Sequence, residues 1–129
     1  MIRVSLIGLG ILWVLTGMFI FANPLGFYES VPGLKLMGPF SVHFIRDAGL
    51  AFIASGGVLT WGGVTGSRAL ALAGIAWPSL HALFHIQIWS HRGFPFDSIF
   101  AFDLFAVIVP PALALLAARE LGRVQEPAA

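Results

Sequence analysis

Apolar residues run in four long blocks along this chain, and polar ones collect in the gaps between them. The first block covers residues 4–22 without a charge, and the others cover about 40–63, 69–89 and 96–118. At about 1.5 Å of rise per residue, helices of this length cross a hydrocarbon layer about 30 Å thick. The pattern predicts an all-α fold: one domain over residues 1–129, an integral membrane bundle of four transmembrane helices.

The gaps set the boundaries. Arg3, the first apolar block and Ala22 also fit the regions of a secretory signal. Ile20, however, sits where a cleavage site wants a small residue, and the block is long for a signal core, so a retained helix is expected. Residues 23–39 hold three prolines and three glycines and read as a loop, partly interfacial through Phe27, Tyr28, Leu34, Leu36 and Met37. Ser41 is the expected cap of the second span, whose Ala51, Ala54, Ser55, Gly56 and Gly57 permit close helix contact. Residues 62–67 read as a turn. Pro78 interrupts the third span and removes the bond to the Gly74 carbonyl, which bends the helix one turn before His81. Residues 91–95 read as another turn, Pro110 and Pro111 as a second kink, and residues 119–129 as a polar, frayed tail.

Composition supports the membrane reading. The chain is 58% hydrophobic and 10% charged, and its mean hydropathy is +0.92. Seven Lys and Arg and six Asp and Glu side chains are too few to clothe a soluble domain of this length. A net charge of +1 without a basic patch gives no footprint for nucleic acid. Without cysteine there is no disulfide, thiolate ligand or redox dithiol, so any metal must use nitrogen and oxygen donors. The bilayer is the expected partner, with a second membrane protein or a homo-oligomer as further candidates.

Four spans place both termini on one side, with Arg3, Arg68, Arg119 and Arg123. Lys35 and Arg92 lie on the other, with Arg46 near its boundary. The positive-inside rule then favours cytoplasmic termini in a bacterial inner membrane. The same alternation gathers the polar residues. His43, Arg46 and Asp47 open the second span, His81 and His85 close the third, and Asp103 opens the fourth, so all fall in the outer leaflet. Ionisable groups at such depth are expensive and point to function.

The favoured expectation is a transition-metal site. His43 and Asp47 are four residues apart, as are His81 and His85, so each pair projects from one helix face. Two such pairs with Asp103 can surround one ion, Zn, Cu, Fe or Mn, with Arg46, His91 and Asp97 behind the ligands. The site would serve metal binding, or metal-dependent chemistry on a lipid-soluble substrate; no catalytic residue is assigned. The alternative is a non-catalytic accessory subunit of a larger membrane complex, its charges paired as a structural network. A proton relay fits less well, because the inner halves of the spans carry no relay group, and non-covalent haem is a further reading. Trp61 and Trp89, near span ends, are expected as interfacial anchors, and Tyr28 and Glu29 as a cover over the cluster if the first loop folds across it.

Four short spans and a proline-rich first loop resemble, in architecture, the small bacterial four-helix membrane proteins such as the DoxX-like ones. No motif residue carries a function across. A single His-x-x-x-His without a His-His pair also falls short of the histidine boxes of membrane desaturases and hydroxylases.

Overall fold

The computed structural model describes the backbone of residues 1–125 and side chains as far as Leu121. Among the described residues the chain is all-helical, with no strand. Four helical stretches are long and apolar enough to cross a membrane: α1 (Ile2–Ala22), α3 (Val42–Thr65), α4 (Arg68–Arg92), and a composite fourth span. That last span comprises α5 (Ser98–Phe102), a π-helical segment (Asp103–Ile108) and α6 (Val109–Gln125). The expected tail is therefore helical through Gln125, and its last residues, 126–129, lie outside the described ones.

Close backbone contact assembles the bundle. A Cβ on Gly56 would lie 2.5 Å from the Gly10 carbonyl oxygen, and one on Gly17 would lie 2.5 Å from that of Gly49. Only hydrogen fits between α1 and α3 at these points. In lipid, where burial from water no longer drives helices together, such approach supplies the van der Waals contact that does. Gly74 does the same for α4, where a Cβ would meet the Leu59 nitrogen at 2.5 Å. The fourth span packs on both α4 and α1, closing a ring in the order α1, α3, α4, α6. Leu6, Trp13, Leu59, Ile75, Ala114 and Ala118 fill the half nearest the chain termini. Large apolar side chains such as Leu15, Leu83 and Phe105 face outward, as a lipid-solvated surface requires.

Several boundaries differ from the expected ones. Gly62 and Gly63 are helical rather than part of a turn, because Gly62 is pressed against the Ala71 backbone and Gly63 against Ile7 and Arg3. The turn shrinks to Gly66 and Ser67, with Gly66 in the left-handed region at φ 73° and the Ser67 side chain accepting from Leu70 N–H. His91 and Arg92 likewise belong to α4, which ends at Gly93 (φ 75°) and runs unbroken through the buried Pro78. Ser41 caps α3 as expected, accepting from Phe44 N–H.

The first loop is more ordered than its prolines suggest. Asn23 caps a short helix, α2 (Pro24–Ser30), and a 3-10 turn follows at Leu34–Leu36. The Tyr28 hydroxyl donates to the Gly38 carbonyl at 2.7 Å, and Gly33 lies against Ile99 of the fourth span. The loop is thereby tied down across the end of the bundle opposite the chain termini.

Candidate functional site

One face of α4 carries Trp77, His81, His85 and Trp89, each four residues from the next. Side chains at this spacing stack one turn above another. The His81 ring lies on Trp77 with centroids 5.0 Å apart and planes 8° from parallel. His85 meets His81 edge-on at 4.7 Å. Phe52 of α3 meets Trp77 edge-on at 5.0 Å and braces that end of the ladder.

Asp103 enters at the upper end from the fourth span and is 3% exposed. Its Oδ2 accepts the Trp89 Nε1–H at 3.0 Å and lies 2.9 Å from His85 Nδ1. The His85 contact is an ion-pair distance without hydrogen-bond alignment, so buried Nδ1 has no aligned partner. A small turn of the imidazole would align it. Trp89 also stacks on Phe100 at 4.2 Å, so α4 and the fourth span share both a polar and an aromatic contact.

The π-helical segment follows from the prolines after it. Pro110 and Pro111 cannot donate to the carbonyls four residues earlier, and their rings crowd those carbonyls. The preceding turn widens, and Val109 N–H bonds to the Leu104 carbonyl, five residues back. Asp103 sits at the start of that widened turn, so Pro110 and Pro111 mark a change of helical register rather than the end of the span.

Of the five expected ligands, His81, His85 and Asp103 come together, while His43 and Asp47 do not join them. His43 Nε2 is 3.4 Å from Asp47 Oδ2, and the two side chains are 89% and 56% exposed on the outer side of α3. Arg46 donates from Nε to the Phe21 carbonyl at 3.3 Å and covers the Phe21 ring. His91 Nδ1 contacts the Gln87 carbonyl of its own helix at 2.8 Å. Asp97 caps α5 by accepting from Phe100 N–H and pairs with Arg92 at 2.6 Å. The Phe100 N–H bond, and then the Arg92 hydrogen bond, hold the Asp97 carboxyl below its ordinary range. Among the described residues no group of three or more His, Asp or Glu side chains is arranged to hold a metal ion.

Trp89 is the residue that sequence reasoning misplaced. Its place near a span end predicts an interfacial anchor, yet it is 5% exposed and spends its N–H on Asp103. The signal was the four-residue ladder from Trp77 to Trp89, which puts the tryptophan on the histidine face. Trp61, 60% exposed, keeps a position compatible with an anchor.

These features define a multi-pass helical membrane protein with a buried His–Asp–Trp contact between its third and fourth spans. Protein-family models, curated proteins and solved structures give no match to the chain.

Proposed function

We propose that this chain is a non-catalytic subunit of a larger assembly in a bacterial inner membrane, in which the Trp89–Asp103–His85 network holds the third span against the fourth. The observation that carries this reading is the Asp103 carboxylate, buried and satisfied from within the chain. A buried carboxylate met by an indole N–H and an imidazole fixes one packing arrangement, because any other leaves a charge unpaired in a low-dielectric interior. The exposed His43–Asp47 pair at the start of α3 supports a neighbouring chain, since polar side chains in spanning helices ordinarily face protein or water. The excess of arginine on the terminal side supports cytoplasmic termini.

A double-mutant cycle tests the network. Trp89→Phe keeps a ring against Phe100 and removes the donor; Asp103→Ala removes the acceptor. Each lowers stability in detergent, and the pair couples by about 0.6–1.7 kcal/mol, the range for hydrogen bonds between membrane helices. Additivity within about 0.3 kcal/mol would show that the two side chains do not depend on one another, and the structural reading would fail.

A further inference from the structure

His81 is half-buried inside a spanning helix, and among the described residues neither of its ring nitrogens meets a hydrogen-bond partner; its contacts are with the rings of Trp77 and His85. Of the two His85 nitrogens, Nδ1 has the ion-pair contact with Asp103 and Nε2 has no polar contact among the described residues. Nδ1 is buried against Asp103, whereas Nε2 is not buried and the side chain as a whole keeps 19% exposure. Unpartnered polar nitrogens within a span are costly, because lipid offers nothing to replace water. Something other than this chain satisfies them.

The tautomer decides what that is. A neutral His85 carries its proton on Nδ1, facing the Asp103 carboxylate, and presents a lone pair at Nε2. A lone pair does not receive the ester, quinone or phosphate oxygens of membrane amphiphiles, which are acceptors themselves. It receives a cation or an O–H or N–H donor. A carboxylate behind an imidazole is also the arrangement that orients a metal-binding histidine and raises its basicity.

The geometry points to a transition-metal site formed by His81 and His85 Nε2, with Asp103 as the positioning residue behind His85 and the other coordination positions open to water or a ligand from the bilayer. Metal–nitrogen bonds of about 2.0–2.1 Å bring two ligating nitrogens to about 3 Å from one another. Ring centroids 4.7 Å apart permit that after rotation about the His81 χ2 bond. Two nitrogens from one helix suit Cu²⁺, Ni²⁺ or Zn²⁺. This site goes beyond the structural reading and shares only the His85–Asp103 contact with it; His81 lies outside that network.

The Trp77 ring, 5.0 Å from His81, supplies the readout. Full-length protein, purified in detergent without a polyhistidine tag, is titrated with Cu²⁺ while tryptophan emission is followed, and bound metal is counted by elemental analysis after gel filtration. The expected result is one Cu²⁺ per chain with saturable quenching. Binding is lost in His81→Phe, which keeps a ring on Trp77 but has no nitrogen, and is retained in His43→Ala. Asp103→Asn weakens binding about ten- to a hundredfold, as loss of the carboxylate behind a ligand does. Circular dichroism of His81→Phe matching the parent confirms that the loss is local. Absence of stoichiometric metal, binding that survives His81→Phe, or binding lost in His43→Ala overturns the proposal.

Discussion

Two adjacent glycines of α3 should respond to the same substitution with opposite signs. At Gly56 an added Cβ would lie 2.5 Å from the Gly10 carbonyl oxygen, 2.7 Å from the Val14 nitrogen and 3.0 Å from the Trp13 Cβ. These atoms belong to the α1 backbone or its base and cannot swing aside. Ordinary contact begins near 3.4 Å, so α1 and α3 must part locally by almost 1 Å. Overpacking of that kind costs about 1–3 kcal/mol. At Gly57 an added Cβ meets nothing within 4 Å, and replacing a mid-helix glycine with alanine gains about 0.5–1 kcal/mol. Both substitutions share that propensity gain, so Gly56→Ala and Gly57→Ala should differ by the overpacking cost alone, about 1–3 kcal/mol, or roughly fivefold to more than a hundredfold in the unfolding equilibrium. Reversible unfolding in mixed micelles with rising dodecyl sulfate fraction, followed by far-ultraviolet circular dichroism, measures both. If Gly56→Ala is as stable as the parent, or Gly57→Ala is equally weakened, close approach of α1 and α3 is not what joins them.

Two further predictions concern the fourth span. Because Phe100 N–H and Arg92 depress the Asp97 carboxyl below 3.8, its stabilising contribution is complete above that value and is lost as pH falls through the lower folded-state value. Amide exchange across 98–102 should therefore accelerate only in that acid range, and Asp97→Asn, which still caps, should remove this acid-side change. Replacing Pro110 and Pro111 together by alanine should let the π turn relax to α-helix and pull Asp103 away from Trp89, seen as a red shift of indole emission; an unchanged spectrum would show that the prolines do not hold the register.

The fold was legible because length and hydropathy alone set the number of spans, and lipid solvation asks little more of a helix. Ser41, with its side-chain acceptor at the head of an apolar run, gave the start of α3 directly. The end of that helix was not legible. Gly62 and Gly63 look like turn residues locally, and only the backbones of α1 and α4 pressed against them explain why they remain helical. Within the site, the pairing of depth was readable and the pairing of faces was not. His43, Asp47, His85 and Asp103 were all assigned to the outer end of the bundle, but depth does not say which way a side chain points around its helix. His43 and Asp47 point outward on α3, and His85 points to Asp103.

Asp103 shows why that angle was hidden. Eighteen residues separate it from Leu121, and at 3.6 residues per turn a straight α-helix would bring the two into line. Leu121, Ala118 and Ala114 form the buried stripe of α6, so regular periodicity would set Asp103 on the line of that stripe. The π turn between them accommodates about one residue more and rotates everything before it by about 100°. Asp103 is thus turned off the stripe onto the histidine face of α4, where Trp89 and His85 meet it. The cause is two prolines that follow it in the chain, seven and eight residues beyond the aspartate and nearly two turns of helix away. A buried charge here depends on a backbone irregularity placed after it, and hydropathy read at a constant helical period passes over such a connection.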